Sequence, residues 1–416
     1  MTGQDNRTSQ APDTPRFVVV GIGADGWDGL STVARRELRG ASRIFGSARQ
    51  LALLGEDIEA RQTAWRSPMS AHLHELIADP GDTPVHLLAS GDPMFHGLGS
   101  TVVAAIGAEH VRIVSHPSST SLAAARLGWD LSGVRIVSLV TGDVDDVLAV
   151  AGDGRRLFVL SRDASSPAKV AETLRSGGWG ASTMTVLEQL GGPAERMIVG
   201  RAGDWEAAAG DALNLVAVEC AGPARVLAPG LADDDFAHDG QLTKQTVRAL
   251  TISALRPADG QVLWDVGAGS GSVGIEWLRL NPTGEVTAFE RDAVRARRIE
   301  ENARRHGVAS RLTVVDGDAA ATIAAHAGLA PDSVFVGGGL TADLFALVWS
   351  SARVGTTVVV NAVGIPTQQL LVELAGRHGG TLRRFTVETA GPLGSVTAWR
   401  PALPIVQWTV GKEEVP

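Results

Sequence analysis

Short apolar runs that alternate with amphipathic stretches constrain the fold of this chain more than any other feature. The runs at 17–21 (FVVVG), 85–89 (VHLLA) and 262–266 (VLWDV) are rich in branched apolar residues, which is typical of buried strands. Stretches with helical spacing, such as 99–106 and 293–306, lie between runs of this kind. Because strands that alternate with helices build a sheet covered on both faces, we expect an α/β protein.

The alternation is interrupted by a segment at 221–240 that is rich in Pro, Gly and Asp. Segments of this composition commonly separate domains. We therefore predict an N-terminal domain at 16–220, a linker at 221–240 and a second domain at 241–411. Residues 1–15 are polar and are expected to form a disordered tail. The two strand–helix series do not align with each other, so we interpret the chain as a fusion of two different α/β domains.

Charge and cysteine content exclude several classes of protein. The 416 residues include 37 Lys and Arg against 46 Asp and Glu, a formal net charge of −9, whereas proteins that bind nucleic acid through bulk charge have a basic excess. No uninterrupted apolar stretch is long enough to span a bilayer, and the first residues lack the apolar core of a signal peptide. Cys220 is the single cysteine, so an internal disulfide is impossible. We expect a cytoplasmic protein that binds neither nucleic acid nor membranes.

Two common ligand signatures are absent from the sequence. No Gly-Lys-Ser/Thr follows a glycine-rich loop, which argues against ATP or GTP hydrolysis. The acidic run Asp233-Asp234-Asp235 lacks the alternating ligand spacing of a calcium loop. We interpret this run as solvated charge and predict no metal site.

A glycine-rich loop directly after the strand at 262–266 is the strongest local signal. Glycines at such a position let the backbone turn sharply and approach a ligand closely. One interpretation is an NAD-dependent oxidoreductase, because Gly269-x-Gly271-x-x-Gly274 matches the dinucleotide pattern GxGxxG, which is a weak signal alone. The residues that we assign to a cofactor site here are Asp265, Gly267, Ala268, Gly269, Ser270 and Gly271.

Acidic residues around this loop favour S-adenosylmethionine over NAD. An acid precedes the glycines, and Glu290 ends the next strand, where it can accept hydrogen bonds from both ribose hydroxyls. Asp318 and Ala319 follow the third strand, where a short acidic turn can bind the adenine amino group. This pattern resembles the class I methyltransferases, whose fold is Rossmann-like.

The motifs on either side of the loop are similar to one methyltransferase family. They are DGQLTK at 239–244, FVGGG at 335–339, VNA at 360–362 and GPLG at 391–394. Together they resemble the decarboxylating methyltransferase module of corrin (cobalamin) biosynthesis. The resemblance implies that Thr243 contacts the cofactor. From their motif positions, we hypothesise that Lys244 and Asn361 assist proton removal or carboxylate release.

Three motifs in the N-terminal half resemble the tetrapyrrole methylases. They are VGIG at 20–23, SGDPMFHGLG at 90–99 and HPSSTS at 116–121. The resemblance implies a two-lobed (class III) fold with an S-adenosylmethionine site between the lobes. The implied cofactor-binding residues are Gly21, Gly23, Gly91, Asp92, Pro93, Ser119 and Thr120.

The order of the two modules is similar to that of the fused, decarboxylating C5,15-methyltransferases of the corrin pathway. The resemblance implies two S-adenosylmethionine sites, one in each domain, and a tetrapyrrole substrate, precorrin-6B. The C-terminal domain would methylate C15 and release carbon dioxide from the C12 acetate. The N-terminal domain would methylate C5, giving precorrin-8. Relatives of both modules self-associate, so the resemblance also implies a homo-oligomer.

The many carboxylates of such a substrate require a local basic patch on an acidic protein. Arginine suits this role because its planar fork pairs bidentately with a carboxylate. We assign this role to Arg291, Arg295, Arg383 and Arg384. Besides the oxidoreductase, the open alternatives are a cobalt-precorrin version of the same methylase and a non-catalytic protein that retains the cofactor fold.

Overall fold

The computed structural model describes residues 15–325, 328 and 330–414, which form two compact units. The first unit comprises the chain up to Thr141 together with Gly154–Gly222, and the second comprises Gly142–Asp153 and the chain from Pro223 onward. Within the described residues, no helix combines the length and apolar character that a membrane span requires.

The first lobe of the first unit is a parallel five-stranded sheet with the strand order β3-β2-β4-β1-β5. Because all its strands run in one direction, the loops that follow β1, β4 and β5 meet at one edge. The strands are β1 Phe17–Ile22, β2 Arg43–Gly46, β3 Arg61–Ala64, β4 Val85–Ser90 and β5 Val111–Val114. The helices are α1 Gly26–Gly29, α2 Thr32–Arg39, α3 Ala48–Ala52, α4 Met69–Ala78 and α5 Leu98–Ile106.

The second lobe contains a mixed five-stranded sheet with the order β6-β7-β10-β8-β9. Its first pair is parallel and the other neighbours are antiparallel. The next elements in chain order are α6 Ser119–Leu127, β6 Val134–Ser138, α7 Asp146–Val150, β7 Arg156–Leu160, α8 Ser166–Ser176, β8 Thr183–Glu188, β9 Arg196–Arg201 and β10 Asn214–Glu219. Of these, α7 belongs to the second unit.

The second unit is built on a seven-stranded sheet with the order β13-β12-β11-β14-β15-β19-β16. The first five strands are parallel, β19 is antiparallel, and β17 pairs with β18 in a separate hairpin. The elements are α9 Gln245–Leu255, β11 Val262–Val266, α10 Ser272–Leu280, β12 Glu285–Glu290, α11 Ala293–Arg305, β13 Leu312–Asp316, α12 Ala319–Ala325, β14 Ser333–Val336, α13 Ala342–Ser351, β15 Thr357–Ala362, α14 Ile365–His378, β16 Thr381–Phe385, β17 Glu388–Leu393, β18 Val396–Pro401 and β19 Ile405–Gly411.

The strand order of this seven-stranded sheet reverses between β11 and β14. In a doubly wound sheet, such a switch point opens a crevice at the carboxyl ends of the strands, where ligands bind. The glycine-rich loop that follows β11 lies at this point. The fold class expected from the sequence, α/β with a Rossmann-like second domain, is confirmed.

Residues 223–240, expected to be a linker, belong to the second unit and pack onto its core. Leu231 and Phe236 are buried there at 8% and 3% exposure, among core residues of α9 and α10. Asp233, interpreted as solvated charge, accepts hydrogen bonds from the backbone N–H of Gln245 at 2.9 Å and from Arg248 Nη1 at 3.2 Å. The Pro, Gly and Asp content of this segment suggests a linker, whereas its two buried apolar residues attach it to the core of the second unit.

Candidate active sites

The glycine loop of the second unit is anchored to the neighbouring strand. The backbone N–H groups of Gly267 and Ala268 both donate to the carbonyl of Phe289, at 2.9 and 3.2 Å. Gly267, Gly269 and Gly271 have φ angles of +68°, +62° and +74°, a left-handed conformation that glycine adopts without steric cost. The loop therefore depends on glycine at all three positions.

Two of these glycines also lie too close to their neighbours for a side chain. A β-carbon at Gly267 would lie 2.9 Å from the carbonyl oxygen of Gly338, and one at Gly271 would lie 2.7 Å from Ile299 Cγ2. At Gly269 the nearest atom, the carbonyl oxygen of Gln241, would be 3.5 Å away, an ordinary contact. The motifs at 239–244 and 335–339 thus lie on two sides of the loop.

Asp265 and Glu290 are buried carboxyl groups beneath this loop. Asp265 is fully buried; its Oδ2 accepts from the Gly274 N–H at 3.0 Å, and its Oδ1 has no partner among the described residues. The pKa of Asp265 is raised to about 7: burial is the main cause, the Gly274 hydrogen bond lowers the pKa, and the charge of Glu290 raises it. Glu290 is 5% exposed, and its Oε2 accepts from the Gly269 N–H at 2.8 Å.

The other predicted cofactor residues of this unit line the same strand edge. Ser270 is buried, and its hydroxyl has no partner among the described residues. Asp318 lies two residues beyond β13, and its Oδ1 accepts from the N–H groups of Ala320 and Ala321 in the first turn of α12, which starts at Ala319. The carbonyl of Thr243 accepts from Arg248 Nη1 at 2.5 Å, so its backbone is held to α9.

Asn361 belongs to a small polar network at the end of β15. Its Nδ2 donates to Thr251 Oγ1 at 2.8 Å, and its Oδ1 accepts from Gln407 Nε2 at 3.0 Å. Thr251 and Gln407 are both buried. Because both ends of the carboxamide are engaged, its orientation is fixed.

Lys244, by contrast, extends into solvent. It is the N-cap residue of α9, its side chain is 59% exposed, and its Nζ lies 3.4 Å from Asp233 Oδ2. The structure therefore holds Asn361 rigidly and Lys244 loosely. Their hypothesised roles stay predictions.

The four predicted substrate arginines differ in their surroundings. Arg295 is half-buried and donates from Nε to Asp239 Oδ2 at 2.9 Å, which helps lower the pKa of Asp239 to about 2. Arg291 is exposed just after β12, and Arg383 and Arg384 are exposed on β16. None of these last three side chains forms a hydrogen bond or ion pair within the described part of the chain.

The predicted cofactor residues of the first unit come together at the carboxyl edge of its parallel sheet. A β-carbon at Gly21 would lie 2.3 Å from the carbonyl oxygen of Gly91, and one at Gly23 would lie 2.6 Å from His116 Cε1. The Gly91 N–H donates to the carbonyl of Ile22 at 3.1 Å. The loops after β1, β4 and β5 therefore touch, and glycine is required where they do.

The remaining predicted residues of this site stabilise those loops. Asp92 Oδ1 accepts from the Met94 N–H at 2.8 Å, as expected for an aspartate that fixes its own turn, and Pro93 is buried. At the start of α6, Thr120 is buried at 1% exposure, and Ser119 is half-buried.

Sequence reasoning overlooked a pair formed by a buried histidine and a half-buried aspartate in the same place. His116, 6% exposed, has its Nε2 3.3 Å from Asp25 Oδ1, while its Nδ1 lies 3.1 Å from the carbonyl oxygen of Pro117. The signal was present, because His116 begins the motif at 116–121 and Asp25 lies two residues after the motif at 20–23. Their pairing was hidden because it joins loops about 90 residues apart in the chain.

Comparison with known proteins identifies the family. The family model for tetrapyrrole (corrin/porphyrin) methylases matches residues 16–206, and the model for the precorrin methyltransferase domain matches residues 234–412. A decarboxylating precorrin-6Y C(5,15)-methyltransferase of Mycobacterium tuberculosis is 43% identical over 401 residues, which are 95% of this chain and 100% of that protein. The chain belongs to this family. It is therefore a methyltransferase.

The chain is also similar to other precorrin-6Y C5,15-methyltransferases. The enzyme of a Sinorhizobium species is 41% identical over 95% of this chain and 96% of its own length. A crystal structure of the C-terminal domain of the Rhodobacter capsulatus enzyme is 39% identical, with a TM-score of 0.43, and covers 45% of this chain and 100% of that chain.

Proposed function

We propose that the chain methylates precorrin-6B at C5 and C15 and removes the carboxyl group of its C12 acetate, giving precorrin-8 in cobalamin biosynthesis. One observation carries this proposal: each unit has its own set of glycine-dependent loops, and each set lies at the carboxyl edge of parallel strands. Two cofactor sites in one chain fit two methyl transfers. The names of the full-length relatives support the substrate and the reaction.

The residues of the second unit fit S-adenosylmethionine. Asp265 Oδ1 and Ser270 Oγ are buried polar atoms that find no partner in the described part of the chain, and a polar ligand above the loop would satisfy such atoms. Glu290 would hold the ribose hydroxyls, and Asp318 with Ala319 would contact the adenine. Thr243 would complete this site from the opposite side.

The first unit fits a second S-adenosylmethionine. Gly21 and Gly23 let the loops after β1, β4 and β5 approach one another closely, so that their backbone groups would face a ligand at this edge of the sheet. Asp92 and Pro93 would keep the loop after β4 in shape, and Ser119 and Thr120 would contribute polar groups at the start of α6.

When bound, S-adenosylmethionine supplies an activated sulfonium methyl group. This methyl would pass to an electron-rich carbon of the macrocycle, with the electron pair of the broken sulfur–carbon bond remaining on S-adenosylhomocysteine. Loss of carbon dioxide from the acetate leaves its bonding electron pair in the conjugated ring. Such reactions depend mainly on alignment of the reactants, which the anchored loops provide. Asn361 would orient the substrate through its fixed carboxamide, while Lys244 would approach a carboxylate as a mobile cation.

Substrate carboxylates would be held by Arg291, Arg295, Arg383 and Arg384. The exposed Arg291, Arg383 and Arg384 have charges that no carboxylate of the described residues neutralises, whereas Arg295 would have to exchange Asp239 for the substrate. We propose the cobalt-free substrate because relatives matched over the whole chain are named for precorrin-6Y. The cobalt-precorrin-6B methyltransferase of Salmonella typhimurium matches only 42% of this chain.

The proposal also includes a cytoplasmic location and self-association. A buried Cys220 and a net charge of −9 are consistent with a reducing compartment and with a small-molecule substrate rather than nucleic acid. Neither unit binds NAD under this proposal, although Gly269, Gly271 and Gly274 match the dinucleotide pattern.

Incubation of the purified chain with precorrin-6B and S-adenosylmethionine tests the proposal, with the product analysed by mass spectrometry. We expect a gain of two methyl groups and loss of one carbon dioxide. Titration calorimetry should show two sites for S-adenosylhomocysteine and none for NAD. A product with unchanged mass, or binding of NAD alone, would refute the proposal.

A further inference from the structure

A half-buried arginine lies beside the Gly91 loop and has no role in the site as described above. Arg49 is in α3, the short helix that follows β2, and its Nη2 donates to Ser90 Oγ at 3.0 Å. Ser90 is the last residue of β4 and directly precedes Gly91. Arg49 is therefore held at the edge of the sheet where the loops of the first unit meet.

Ser90 is arranged to donate a hydrogen bond outward. Its Oγ accepts from Arg49 and also from Gln50 Nε2, at 3.1 Å. The Gln50 amide is oriented by the start of its own helix, because its Oε1 accepts from the Ser47 N–H at 2.7 Å. A hydroxyl has two acceptor positions and one hydrogen. Both acceptor positions are occupied, so the hydrogen of the exposed Ser90 hydroxyl is left for an acceptor outside the described residues.

The charge of Arg49 is also incompletely neutralised. Burial lowers the pKa of Arg49. Asp211 is the only described carboxylate whose charge raises this pKa, and it forms no ion pair with Arg49. Both oxygens of Asp211 have other donors: Oδ1 accepts from the Leu213 N–H at 2.7 Å and Oδ2 from Gln189 Nε2 at 2.8 Å. A partly desolvated guanidinium without a contacting anion is costly unless a ligand supplies one.

We propose that Arg49 and Ser90 form a carboxylate-binding subsite for the reaction of the first unit. The two side chains present only donors, a guanidinium fork and a hydroxyl hydrogen, and this donor set matches a carboxylate. Both reactants of the proposed methylation carry carboxylates: the tetrapyrrole on its side chains and S-adenosylmethionine on its amino-acid end. The subsite rests on the proposed function, and it adds a contact outside the motifs that suggested that function.

The test uses Arg49→Met in the full chain, with precorrin-6B and S-adenosylmethionine as reactants. We expect the KM of one reactant in C5 methylation to rise about 10- to 100-fold, which is the range for loss of a charge-assisted hydrogen bond. Methylation at C15 and release of carbon dioxide, assigned to the other unit, should continue at the wild-type rate and serve as the internal control. Arg49→Lys should lose less, and Arg36→Met, at an exposed arginine of α2, should lose nothing.

The reactant whose KM rises identifies the source of the carboxylate. A higher KM for the tetrapyrrole alone assigns the subsite to the substrate. A higher KM for S-adenosylmethionine in C5 methylation, with weaker inhibition by S-adenosylhomocysteine but unchanged inhibition by 5′-methylthioadenosine, which lacks the carboxylate, assigns it to the cofactor.

Wild-type C5 methylation with both KM values unchanged in Arg49→Met would overturn the proposal. If that variant loses its cooperative unfolding transition, Ser90→Ala decides instead: the same KM should rise several-fold, and no change would overturn the proposal. A wild-type chain that methylates nothing would refute the proposed function itself, an outcome distinct from any effect of Arg49.

Discussion

Asp265 has an unusual environment for a carboxyl group. It is fully buried, one carboxylate oxygen accepts from the Gly274 N–H, and the other has no partner among the described residues. Burial is the main reason why its pKa rises from 3.8 to about 7. Without cofactor, the folded protein therefore holds a proton on Asp265 at pH values where the unfolded chain has released it.

This linkage predicts how stability depends on pH. Between about pH 5 and pH 7, unfolding releases the Asp265 proton, so raising the pH should favour unfolding by up to about 1.4 kcal/mol per pH unit. Asp265→Asn cannot titrate, and any cost of its buried amide is the same at every pH. The free energy of unfolding of the cofactor-free wild type, measured by urea denaturation, should therefore fall relative to that of Asp265→Asn as pH rises. A pH-independent difference would contradict this pKa.

At the scale of elements, the sequence predicted the strands and loops that depend on local pattern, but not the element boundaries that depend on pairing with distant parts of the chain. The β11 strand and the three left-handed glycines after it follow from a local apolar run and a local motif. The local pattern at 383–390 predicts a single strand, but the structure divides this run between β16, which pairs with β19, and β17, which pairs with β18. Similarly, local pattern predicts a helix from Leu242, but α9 begins at Gln245, because Lys244 has an extended ψ of 149°.

The attachment of segment 223–240 to α9 and α10 shows how such long-range contacts are stabilised. Arg248 is completely buried in the core, and its Nε donates to Glu276 Oε1 at 2.5 Å. Glu276, 2% exposed, also accepts from the N–H groups of Gly230 and Leu231 at 2.6 and 3.0 Å. This buried pair joins both helices to the segment that leads into the motif at 239–244.

Removing one partner of this buried pair should therefore be costly. We predict that Arg248→Met destabilises the second unit by about 3–5 kcal/mol, because Glu276 is left buried and charged. The double variant Arg248→Met/Glu276→Gln should recover part of that loss, since no unpaired charge remains. Urea denaturation of the four proteins in a double-mutant cycle measures the coupling. Additive effects of the two substitutions would show that the pair is not coupled.

At the scale of the whole molecule, the two units have different sheets and separate glycine-dependent loops. The boundaries of the functional domains stay a prediction, as do the residues assigned to each site. If each unit performs its own half of the reaction, one half can be removed without the other. A Gly→Ala substitution at a position where a β-carbon has no room can inactivate one unit, because it adds a single methyl group inside that unit's loops.

We predict that Gly21→Ala abolishes C5 methylation alone and that Gly271→Ala abolishes C15 methylation and decarboxylation. The new methyl would lie 2.3 Å from the Gly91 carbonyl oxygen in the first case and 2.7 Å from Ile299 Cγ2 in the second. Gly133→Ala and Gly376→Ala are matched controls, since nothing lies within 4 Å of the added carbon, and both should behave as wild type.

With precorrin-6B and S-adenosylmethionine, mass spectrometry should detect a singly methylated, decarboxylated product from Gly21→Ala, and the full product from an equimolar mixture of the two variants. Loss of carbon dioxide release in Gly21→Ala, with the protein still folded, would mean that the two units do not work independently.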